Sequence, residues 1–401
     1  MNNLQKRLHR NFPTAFPALI ILCSTIFTQQ TNTKPQIDAP VFRICWLYQT
    51  NESEITKLAS DNESGFYFSL SSGKLLSLNL ETVEKLWETN LGGNIVSDIL
   101  VDRNNIYIAQ KLDESASEKA ASEKANSQII SIQKSTKETL ILYSLDKVTG
   151  ITGWQFKIAE SDKVYLYDTG DSLTIFLNNG MAYSLAKTDG KLLWTRNLGS
   201  NLSARPLEKN SEIILGTADK QVVYLSLKDG RTLRKFEIKE QSAVIAEDTD
   251  GNNLIVGDRK GSVWSLNKKK QKRRWTLRQG AEISNLLYTA QGLLMSSFDN
   301  FVYLVAETSG KLIWKKRLPG RIAAEPQIKD NHIIINSIDE SAAFVLELNT
   351  GKLINKITLE DDNFFTGESM QLNNLLIYAT LRGIVSFSAS GEGCRQQKNR
   401  S

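Results

Sequence analysis

Short apolar runs punctuated by turn residues recur along most of this chain. HIIINS at 332–337, SEIILG at 211–216, NNLIVG at 252–257 and GLLMSS at 292–297 are bounded by Gly, Asn, Asp or Ser. Runs of this length, rich in Ile, Leu and Val, read as short buried strands. Helical periodicity is absent outside the first thirty residues and one polar insert, so the pattern predicts an all-β chain.

The strands belong to a repeat. Its clearest copies are YSLDKVTGITGW (143–154), YSLAKTDGKLLW (183–194) and YLVAETSGKLIW (303–314). Weaker copies are SLNLETVEKLW (77–87), YLSLKDGRTLR (224–234), SLNKKKQKRRW (265–275) and VLELNTGKLIN (345–355). The final positions are Trp87, Trp154, Trp194, Arg234, Trp275, Trp314 and Asn355, at steps of 67, 40, 40, 41, 39 and 41 residues. An apolar residue stands nine positions before every one of them (Leu78, Leu145, Leu185, Leu225, Leu266, Val305, Leu346). Each copy reads as a hairpin whose Thr-Gly, Ser-Gly or Asp-Gly turn takes a positive φ without steric cost. Two further strand-like runs precede each hairpin. Four short strands in about 40 residues make one propeller blade.

Seven copies leave the ring open. Stepping 41 residues back from Trp87 reaches Trp46 in FRICWLYQT, an outermost strand with no inner strands before it. GIVSFSAS at 383–390 is an inner strand with no outermost strand after it. One blade built from both chain ends completes an eight-bladed β-propeller of four-stranded blades over residues 42–391, and the closing pairing removes free sheet edges. If the ends pair so, Cys45 and Cys394 fall close together, which an exported protein can turn into a disulfide; two unrelated thiols are the alternative.

Residues 1–30 read as an export signal or N-terminal membrane anchor. A basic segment with Lys6, Arg7 and Arg10 precedes the apolar run AFPALIILCSTIF at 15–27. Cys23 raises lipidation, although Leu22 stands where a small residue is usual. The whole chain of 401 residues carries a formal charge of +5, and removing those three cations leaves +2, which argues against nucleic acid as a partner. With His9 and His332 its two histidines, a His-based metal cluster or His-centred triad has no material.

Two segments break the repeat. The long step holds a polar insertion at 112–137, containing DESASEKAASEKANSQ at 113–128, which cannot bury enough apolar surface to fold alone. It reads as a mobile loop or short exposed helix and as an inert or partner-binding insertion. The hairpin turn of the 265–275 copy carries Lys268, Lys269, Lys270, Lys272, Arg273 and Arg274 where other copies carry Gly. Such a cluster is either a solvated turn or a patch for anionic lipid, lipopolysaccharide or an acidic partner. Residues 392–401 form a C-terminal tail.

The hairpin resembles the tryptophan-docking repeat of the pyrroloquinoline-quinone-repeat β-propeller family. Ser144, Asp146, Thr149, Gly150 and Trp154 match its pattern, and Ala186, Gly190 and Trp194, then Ser309, Gly310 and Trp314, match in part. The resemblance gives Trp46, Trp87, Trp154, Trp194, Trp275 and Trp314 a structural docking role between blades. Arg234 and Asn355 then imply weaker packing, for which Phe236 or Ile357 compensates. The non-enzymatic eight-bladed members look most similar, among them the propeller subunit of the bacterial outer-membrane β-barrel assembly machine. That implies an exported, monomeric scaffold in the periplasm or cell envelope, peripheral or anchored at a membrane, with an envelope protein as partner, no cofactor and no catalytic or metal-binding residues. The enzyme alternative is a quinoprotein dehydrogenase, which in this family carries adjacent cysteines and a calcium site; this sequence has no adjacent cysteines. A third reading is a propeller that senses a small ligand in its central channel.

Overall fold

The computed structural model describes residues 42–50, 53–112, 139–248, 250–270, 272–322, 324–337, 341–360, 362–389 and 394. The N-terminal segment expected to direct export or anchoring, the insertion from 113 onward and the tail apart from Cys394 therefore lie outside the described residues. Among those described there is no helix, and the strands form eight antiparallel sheets.

Seven sheets are contiguous in sequence. Blade I takes Ile55–Ser60, Gly65–Leu70, Lys74–Asn79 and Lys85–Asn90 from the innermost strand outward, and blades III (164–197), IV (207–237), V (242–278), VI (283–317) and VII (327–358) repeat that order. Blade VIII is composite. Phe365–Leu372, Leu375–Thr380 and Gly383–Ser388 pair in sequence, and Arg43–Gln49 adds antiparallel to Gly383–Ser388 as the outermost strand. The ring is closed by the two ends of the chain, as the half-blades in the sequence predict.

Blade II departs from the four-strand pattern. Its innermost strand is broken into Asn94–Ile95 and Leu100–Val101, both paired with Asn105–Leu112. The Ser97 hydroxyl fills the gap by accepting the Ala109 N–H at 2.8 Å. The break leaves Asp98 off the ladder.

Burial follows from the stacking of sheets. The second and third strands of each blade are covered on both faces, so they read as continuous apolar runs: Leu375–Thr380 and Gly292–Ser297 are buried throughout. Outermost strands alternate instead, as Leu192–Asn197 and Leu312–Arg317 do. Among the described residues the buried apolar side chains gather into eight clusters, one at each blade junction. There is no single core; each blade is stable only against its neighbours.

Candidate functional site: blade junctions, closure and central channel

The tryptophans lie at the junctions. Trp87 Nε1 donates to the Lys147 carbonyl of the next blade at 3.2 Å, Trp154 to Lys187 at 2.8 Å, Trp275 to Glu307 at 2.8 Å and Trp314 to Leu348 at 2.9 Å. The same turn of the next blade lays a glycine flat on the indole. A β-carbon built on Gly310 would stand 2.6 Å from Trp275, and one on Gly351 would stand 2.5 Å from Trp314. Both glycines also hold a positive φ, 68° and 67°. The Gly of the turn is thus fixed by the Trp of the blade before it. The acid of the motif shapes the turn: the Asp146 carboxylate accepts the Thr149 N–H at 2.8 Å and its hydroxyl at 2.7 Å.

The exceptions follow the same logic. Arg234 takes the Trp position of blade IV, and in sequence the matching Gly position of the next repeat is Gln271. Arg234 lies over the Tyr224 ring at 4.2 Å and pairs with Glu212, while Phe236 meets Tyr224 edge-on at 5.7 Å. Ile357, two residues after Asn355, is buried at the junction of blades VII and VIII. Trp46 packs at the junction with blade I, where Val83 stands in the glycine position at φ 56°. Trp46 and Trp194 make no indole hydrogen bond.

A second contact joins blades through lysines seven residues before the index. Lys147 pairs with Asp61 of blade I at 3.1 Å; Lys187 pairs with Asp102 and Asp168 at 3.0 and 2.6 Å. Lys268 pairs with Glu247 of its own blade, and Lys209 of the preceding blade reaches the same carboxylate at 3.3 Å. This divides the basic segment. The turn ends before Lys272, so Lys272, Arg273 and Arg274 are exposed residues of the outermost strand Lys272–Arg278, not turn residues. Lys269 and Lys270 are exposed in the turn, whereas Lys268 is directed inward. Cys45 and Cys394 are joined in a disulfide with Cα atoms 4.2 Å apart, tying the exit of the last strand to the outermost strand of the same blade.

The central channel holds charge that the sequence reading did not single out. Residues of blades II and IV can meet only towards the ring's axis. Arg205, just before the first strand of blade IV, reaches Asp98 of blade II at 2.5 Å. Asp98 also binds Lys57 of blade I at 3.1 Å, and Lys57 binds Glu368 of blade VIII at 2.8 Å. Asp98, Tyr165, Arg205, Asn285, Glu325 and Glu368 each stand eight residues before a buried apolar residue of their blade's second strand: Ile106, Leu173, Ile213, Leu293, Ile333 and Leu376. One repeat position therefore carries different chemistry in six of the eight blades. That fixed offset is the signal that would have found it.

Burial opposes charge on Asp98, but Arg205 and Lys57 outweigh it and hold the carboxyl below its usual range. Burial likewise opposes charge on Lys57, and Glu368 and Asp98 more than compensate. Asp61 and Asp102 are lowered too, against burial, by backbone N–H groups and by Lys147 or Lys187. A carboxyl lowered in the fold stabilises above its unfolded pKa of about 4 and loses that contribution as pH falls through its folded value. Urea midpoints should therefore drop between pH 7 and pH 3. Asp98→Asn, which leaves Arg205 and Lys57 sharing less negative charge, should cost about 1–2 kcal/mol at pH 7 and much less at pH 3. Equal losses at both pH values would rule out the ion pairs as its cause.

Comparisons with known proteins agree with this architecture. The family model for outer membrane protein assembly factor BamB matches residues 136–287. The crystal structure of BamB from Moraxella catarrhalis superimposes with a TM-score of 0.63 at 17% identity, covering 86% of this chain and 97% of that one. The computationally designed Ika8 protein aligns with a TM-score of 0.44 at 12% identity, covering 86% of this chain and 99% of that one. A search of curated proteins gave no match. The chain is thus an eight-bladed β-propeller, similar in fold to BamB and, over residues 136–287, in sequence to the outer membrane protein assembly factor BamB family.

Proposed function

We propose that this propeller is a non-catalytic scaffold of the cell envelope that binds a protein partner in outer-membrane protein assembly. The observation that carries the reading is the match to BamB, in which the family model and a fold spanning 97% of the compared chain point the same way. Physical features support it. Each blade ends on an outermost strand with one free ladder edge, and such edges accept an added strand from a partner. Towards the axis Lys57, Asp98, Arg205 and Glu368 are engaged with one another in ion pairs. Export to the periplasm, by a cleaved signal, a lipid or a retained anchor, belongs to the same proposal.

The test is capture of membrane-extracted proteins by the folded, tagged propeller, read by mass spectrometry. The expected result is enrichment of a β-barrel assembly component over a heat-unfolded control. Retention of none, by a propeller whose circular dichroism shows it folded, would remove the reading.

A further inference from the structure

Positive charge is unevenly placed around the ring. The outermost strands of blades IV, V and VI are Thr232–Glu237 (TLRKFE), Lys272–Arg278 (KRRWTLR) and Leu312–Arg317 (LIWKKR). They hold nine cations and one acid, Glu237. The five other outermost strands together hold five cations and one acid, Glu88. Among the described residues, Arg234 is the one cation of the nine in an ion pair, with Glu212. Half-exposed apolar side chains lie among them: Leu312 is 41% exposed, Ile313 48% and Leu233 37%. The turn adds exposed Lys269 and Lys270 between blades IV and VI.

We infer that the rim of blades IV–VI is a docking surface for an anionic lipid membrane. The reason is charge complementarity of a particular form. The cations are spread over three neighbouring strands on the outside of the ring rather than gathered round a cleft, so they suit a partner whose negative charges are themselves spread over a surface. Long Lys and Arg side chains reach lipid phosphates while their stems and the neighbouring Leu and Ile meet the apolar edge of the headgroup layer. Each such cation contributes separately and is screened by salt. An acidic protein would be the rival partner. This inference is independent of the scaffold reading, because it concerns lipid alone.

Flotation with vesicles of phosphatidylglycerol and phosphatidylcholine tests it at low salt, using residues 31–401, which hold the whole closed ring but not the apolar run at 15–27. Binding is expected to those vesicles, to be lost at high salt, and to be absent with pure phosphatidylcholine. The triple variant Lys235→Glu, Lys272→Glu, Arg317→Glu removes exposed cations from all three blades and should bind on the order of a hundredfold more weakly. The triple variant Lys157→Glu, Lys163→Glu, Lys352→Glu changes the net charge equally on blades II, III and VII and should bind less than about threefold more weakly. Equal loss in both triples would make net charge rather than the rim responsible and overturn the proposal. So would a wild-type chain that captures polyglutamate but no anionic vesicle, which would point to an acidic protein.

Discussion

Trp314→Ala should lower the stability of the propeller by about 3–5 kcal/mol in a denaturant titration, the range for emptying a buried aromatic site. Trp314 is 9% exposed, packs between blades VI and VII and donates a buried hydrogen bond to the Leu348 carbonyl. The removal leaves a cavity and an unpaired carbonyl together. The same geometry predicts non-additivity. Gly351→Ala alone should cost roughly 2–4 kcal/mol, because its new β-carbon would lie 2.5 Å from the indole at a positive φ of 67°. With Trp314 already gone the clash disappears, and only the backbone penalty of about 1 kcal/mol remains. A double-mutant cycle should therefore show a coupling of at least about 1 kcal/mol. Simple additivity would mean that ring and glycine do not constrain one another.

The second large effect is expected at the closure. Replacing Cys45 and Cys394 by Ser, or reducing the bond, opens a loop with a sequence separation of 349 residues. The chain-entropy treatment sets the stabilisation at about 6 kcal/mol, and measured values for native disulfides are about 2–5 kcal/mol. The loss should be local before it is global. Hydrogen exchange should accelerate first in Arg43–Gln49 and Gly383–Ser388, the two strands the bond holds together. Uniform acceleration across all blades would show that the ring opens as one unit. Unchanged midpoints with and without reductant would show that strand pairing alone closes it.

The repeat was legible because it is enforced twice, by the turn and by the ring stacked on it. Gly310 and Trp275 come from adjacent blades, yet each fixes the other, so both persist in register. Closure was legible for a related reason: an outermost strand without its blade, and a blade without its outermost strand, are each unstable alone. The channel was opaque. Asp98, Arg205 and Glu368 share a repeat position but no chemistry, and their pairing arises only once the ring brings distant blades together. The basic segment was half legible. Its charges were plain, but the strand boundary after residue 271 and the inward pairing of Lys268 with Glu247 of the same blade arise only in the folded sheet.

The composite blade also sets the order of events during synthesis. Blades I to VII are contiguous and can assemble as they emerge, whereas Arg43–Gln49 has no partner until Gly383–Ser388 has been made. At translation rates of roughly 5–20 residues per second, that strand waits for roughly 20–70 seconds with Ile44, Trp46 and Leu47 uncovered. An unpaired apolar strand held open so long is a template for wrong pairing. The last blade is therefore the slow and vulnerable step in making this protein, and a factor that shields the first strand until the last arrives would act on yield rather than on the stability of the finished ring.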